Sequence, residues 1–174
     1  MSAYKLAEII VDLIQDSIKQ NIAATLAAVR EERDDPIVTT EPPREYFIYE
    51  TAHVYRPPAV FTIIRDQNIR DEVMNPNHIN SSCDIVVAVV VEDRTERLVT
   101  IKAWRYQAAL MPILHQVSLT NANGSLRIFS RVQNCQFSGV VNIKNEKSTE
   151  NTFRKEVSLR LHIEHIENLQ GIPT

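Results

Sequence analysis

Residues 84–92, DIVVAVVVE, constrain the fold more than any other part of the chain. From 85 to 91 every residue is apolar, and most are β-branched. Such side chains fit a pleated surface and crowd a helix. A strand with no polar face to show to water is buried on both sides. The rest of the chain must therefore cover two faces. It has the length to do so: residues 1–174 suit a single domain of ordinary size. A chain this long buries roughly two-thirds of its unfolded surface, with no need of disulfides or metal.

Residues 4–33 carry Leu6, Ile10, Leu13, Ile14, Ile18, Ile22, Leu26 and Val29 at intervals of mostly three or four, the spacing of an amphipathic helix. Ser2 is placed to cap it, and Pro36 stops it. Ala23, Ala24, Ala27 and Ala28 give the helix a thin flank. Prolines and charges make 34–45 an extended linker. Strands at 46–55 and 59–65 follow, separated by Pro57 and Pro58. Residues 66–82 are largely polar and read as a long loop. After the buried strand, Thr95 is placed to cap a second helix running to about 116. Leu98, Ile101, Ala108, Met111 and Leu114 form its expected apolar stripe, and Pro112 should kink its last turn.

Residues 121–124 are turn chemistry. A long C-terminal hairpin then closes the domain. Its first arm, 126–143, is expected to carry Phe137, Gly139, Val141 and Ile143 on one face. In its second arm, 153–166, Val157, Leu159, Leu161 and Ile163 alternate with Ser158, Arg160, His162 and Glu164. A polar loop, 144–152, joins the arms, and 167–174 is a tail. The sum is an α+β domain. About five mostly antiparallel strands are packed by a long N-terminal helix and a second helix. Two helices cover one face of such a sheet. The other face of 85–91 then calls for a folded-over hairpin or a neighbouring subunit.

No constellation of reactive residues emerges. Gly124, Gly139 and Gly171 are the only glycines, so no phosphate-cradling loop or dinucleotide fingerprint can be built. Cys83 and Cys135 are too few for a disulfide framework or a cysteine zinc site, and they read as small core residues. His162 and His165 lie three apart on a strand, so they point to opposite faces and share no ion. His53, His78 and His115 stand apart from them. No GxSxG or HExxH pattern occurs. Glu92 and Asp93 precede a helix start, where acids suit the dipole, and read as capping residues. The expectation is a chain with no catalytic residues, no cofactor and no metal.

Charge argues against a nucleic-acid surface. The net charge is −3, whereas nucleic-acid binders show a basic excess. Arg65, Arg70, Arg94, Arg97, Arg105, Arg127 and Arg131 read as interleaved with acids. Trp104 and Tyr106 read as the partly buried edge of a helix. Glu31, Glu32, Asp34, Asp35, Glu41, Glu45 and Glu50 form an acidic run suited to a solvated linker. Lining a channel, that run would repel phosphates and let DNA slide through. No apolar run of about 18 residues is present to span a membrane.

The order of elements resembles the tail terminator proteins of long-tailed bacteriophages. The residues that carry the likeness are 57–64, 84–92, the helix 95–116, and the pair 127–143 with 153–166, whose last strand reads FRKEVSLRLHIEHIE. The resemblance implies a structural virion protein of the tail or neck, assembled in the host cytoplasm. It implies a ring, typically a hexamer, that caps the tail tube, stops its polymerisation and joins the tail to the head connector. Its partners would be copies of itself, the tube protein and a neck protein, with DNA passing through the lumen. Ala24, Ala27, Ala28 and Trp104 are then candidate subunit contacts, and 66–82, 118–125 and 144–152 are candidate docking loops. The alternatives are another neck ring, such as a head-closure or connector-completion protein, and a small enzyme or ligand-binding domain.

Overall fold

The computed structural model describes residues 3–33, 40–48, 56–75, 78–144 and 151–168. In chain order they form α1 (Ala3–Arg33), β1 (Glu45–Phe47), β2 (Ala59–Asn75), β3 (His78–Asp93), α2 (Glu96–Leu114), β4 (Val117–Thr120), β5 (Leu126–Phe137), β6 (Val141–Lys144) and β7 (Asn151–Asn168). The strands make one open sheet in the order β1-β2-β3-β7-β5-β4, and β6 pairs with β7 beside the end of β5. All pairings are antiparallel except β1 on β2. The class is α+β, as expected, but with seven strands rather than about five.

The extra strands have identifiable causes. Residues 66–82 are not a loop: β2 and β3 stay paired from Ala59↔Val90 out to Asn75↔His78, with register shifts along the way. Residues 117–120 pair with β5 as β4, which shortens the expected loop 118–125. The expected arm 126–143 is broken at 138–140. There Ser138 Oγ accepts a hydrogen bond from Glu156 N at 2.9 Å, and Ser138 N donates to Glu156 O at 2.9 Å. The break changes phase, so Phe137 lies opposite Val157 while Val141 lies opposite Arg154, on the other face. Of the expected strand 46–55 only 46–47 are strand, within β1; 49–55 lie outside the described residues. So do 34–39 of the linker, Ser2, 145–150 of the last loop and 169–174 of the tail.

Both helices lie on one face of the sheet. Ile10, Ile14, Ile18 and Ile22 of α1 are buried there with Val87, Val89, Leu159 and Leu161. The α1 stripe is the one its spacing predicts. The α2 stripe is so only at Leu114, which is buried: Val99, Ala103, Tyr106, Leu110 and Ile113 are buried with it, while Leu98, Ile101, Ala108 and Met111 are only half-buried. The helix is apolar on several sides, so spacing alone left its phase open. Thr95 is the N-cap, accepting from Leu98 N at 3.2 Å, and α2 ends two residues beyond Pro112.

Strand β3 is buried under the helices on one face; on the other, Ala88 and Val90 are buried among side chains of neighbouring strands of the same sheet, while Val86 is half-buried. Ala88 and Val90 lie with Ala59 and Phe61 in a small cluster packed by Phe47 and Ile63, with the Phe47 and Phe61 rings stacked at 5.1 Å.

Candidate functional site

Two surfaces of the sheet are left open. The first is its pair of edges. β1 pairs with Ala59, Val60 and Phe61 of β2, and no other described residue pairs with that edge of β2 from 62 to 75. At the other end of the sheet β4 pairs with β5 only from Arg127 to Ser130, and no other described residue pairs with that edge of 131–137. Unpaired edges present backbone donors and acceptors to any strand that approaches. Phe137 and Val141 flank the break on the β5 side and are 37% and 57% exposed.

The second surface is the face away from the helices. Arg65 of β2, Val86 of β3, Ser158 and Arg160 of β7, and Asn134 and Gln136 of β5 line one concavity of about 620 Å³. Side chains from strands so far apart share one hollow only because the sheet curls away from its helices. A second hollow of about 500 Å³ is lined by Phe129, Arg131, Gln133, His162 and Glu164. Ion pairs stitch the strands of this face. Asp84 of β3 meets Arg160 Nη2 at 2.6 Å and His162 Nδ1 at 3.0 Å, both from β7. The His162 hydrogen bond, and then Arg160, hold the Asp84 carboxyl below the usual carboxylate range, against the opposing effect of burial. Glu92 meets Arg154 at 2.5 Å.

Most residues singled out from the sequence turn out to be structural. His165 is buried on the helix side, where desolvation lowers its pKa, while His162 sits on the concave face; the two do point apart. Cys83 is buried, and its thiol is pushed up to about 12, first by burial and then by Asp84. Burial also raises the half-buried Cys135. Neither is a ready thiolate. His115 ends α2, and His53 lies outside the described residues. No group of acids, histidines and cysteines among the described residues has the arrangement of a metal site.

Glu92 and Asp93 do not cap α2. Glu92 pairs with β7, and Asp93 pairs with Lys102 at 2.5 Å. Tyr106 is buried and donates its hydroxyl hydrogen bond to the Glu41 carbonyl, strapping 40–44 onto α2. Burial raises its pKa, with Tyr46 and Glu41 adding to the effect. Trp104 is 55% exposed, and Ala24, Ala27 and Ala28 lie on the exposed flank of α1. No helix among the described residues is long and apolar enough to cross a membrane.

No family model matches the sequence, and no curated protein matches it. Among solved structures, the chain is similar to one whose title states no function, at 13% identity, with 92% of this chain and 98% of that one covered and a TM-score of 0.37. It is also similar to a chain from the virion of a native gene transfer agent particle, at 14% identity, with 80% and 93% covered and a TM-score of 0.27. Likenesses this loose carry no weight for fold or role.

Proposed function

We propose that this chain is a structural protein whose copies join side by side into a closed ring. In this reading it serves a tailed phage or phage-like particle as a tail terminator, without catalysis. The observation that carries the reading is a pair of long edges, unpaired among the described residues, at opposite ends of one mostly antiparallel sheet. Strands β2, β3, β7 and β5 alternate in direction. A second copy placed with its β2 beside β5 continues that alternation. The contact is head-to-tail, and repetition of such a contact closes into a ring when the rotation permits. β1 covers one end of the β2 edge and β4 the opposite end of the β5 edge. The free stretches are therefore offset, and joined copies are staggered.

The element order supports the tail terminator among ring proteins. Trp104 and the exposed alanines of α1 are further candidate contacts between copies, and the turn 121–125 is a candidate docking surface for the tube or head connector. Native mass spectrometry of the purified chain tests the ring, with about six copies expected. Deleting the gene should give overlong tails. Tails of normal length that fail to join filled heads would assign the chain to another ring of the neck. A chain that stays monomeric both in solution and on isolated tails would overturn the reading.

A further inference from the structure

None of the chain's 22 acidic residues falls between 97 and 145. That stretch supplies α2 after Glu96, β4, β5 and β6, so Arg105, Arg127 and Arg131 are not interleaved with acids as expected, and the arginines of β5 have no acid on their own strand or on β4. Arg127, Phe129 and Arg131 alternate along β5, and all three are exposed. Residues two apart on a strand share a face about 6.7 Å apart, so the three form one cation–aromatic–cation stripe roughly 13 Å long. Phe129 is 42% exposed and, with Arg131, lines the hollow of about 500 Å³. Arg131 forms no ion pair among the described residues, and Arg127 is held only by the Ser118 hydroxyl at 2.9 Å. Gln133 lines the same hollow, and Asn134 and Gln136 extend the strand with neutral amides.

We infer that this stripe binds single-stranded nucleic acid, with a base stacked on Phe129 and flanking phosphates on Arg127 and Arg131. Every base offers a π-face to an aromatic ring, and two arginines spaced along the strand suit a phosphate backbone, so such binding is sequence-tolerant. The acid facing the stripe is Glu164, directly opposite Phe129 on β7. Asp84, further along that face, is already engaged by Arg160 and His162. The inference stands whether or not copies close into a ring.

The test is fluorescence anisotropy of a labelled oligothymidylate of about 20 nucleotides, titrated with the full chain at several salt concentrations. Two phosphate contacts on a single strand predict a slope of log K against log salt near −1.4. Arg127→Gln with Arg131→Gln should flatten it towards zero. Phe129→Ala should weaken binding roughly tenfold, and Glu164→Gln should tighten it. All four side chains are exposed, and circular dichroism checks that each variant folds. No binding at low salt would overturn the inference. So would equal affinity for a duplex of the same length with no effect of Phe129→Ala, which would leave a bare phosphate contact. Displacement by polyglutamate as readily as by unlabelled oligonucleotide would assign the stripe to an acidic polypeptide instead.

Discussion

Replacing Leu159 by alanine tests the architecture most directly. Leu159 is fully buried in β7, in register with Val87 of β3 on one side and Cys135 of β5 on the other. The β3 strand beside it is itself paired with β2, and the helices lie above, so the site has little room to collapse. Leucine-to-alanine changes in such cores cost about 2–5 kcal/mol, and the upper half of that range is expected here. Against a total stability of about 5–15 kcal/mol, that is a large fraction. For a domain of this size each kcal/mol moves the melting temperature by about 2–4 °C, so a fall of roughly 7–20 °C follows. Urea titration should show a lower midpoint with an unchanged slope. Ser158→Ala is the control: its side chain is half-buried on the concave face, and the cost should stay within about 0.5 kcal/mol. If the two variants lose similar stability, or Leu159→Ala loses less than about 1 kcal/mol, the alternation of β7 and the helix-covered core are wrong.

Three further outcomes are expected. Val87→Asp places an unpaired carboxylate at a fully buried position and should unfold the domain, read as loss of the cooperative urea transition. Asp84 has a folded-state pKa below its unfolded value. Its contribution is therefore complete above about pH 4, the ordinary aspartate range, and is lost as pH falls further through the folded value. Asp84→Asn should flatten the acid limb of a stability–pH profile and leave the neutral limb's shape unchanged. Tyr106→Phe removes the donor to the Glu41 carbonyl and should cost about 1 kcal/mol. It should also speed hydrogen exchange at Arg44, whose amide donates to Pro58 O at 2.8 Å.

The strongly patterned elements were legible in the chain. α1 announces its buried face by spacing, β7 by strict alternation, and β3 by an apolar run that leaves no side for water. These patterns are local, and burial follows from them directly. Tertiary structure decided what local pattern cannot encode. It set the phase of α2, because a helix apolar on several sides takes its orientation from the sheet it meets. It made 66–75 and 78–82 a paired extension of β2 and β3, because backbone hydrogen bonding does not require apolar side chains. It turned Glu92 and Asp93 from expected caps into partners of Arg154 and Lys102, which come close only when β7 and α2 are in place. The acid-free stretch from 97 to 145 was visible in the residue order, but only folding made it a surface. Pairing β5 between β4 and β7 turns every second residue outward, and that places Arg127, Phe129 and Arg131 side by side on one exposed face.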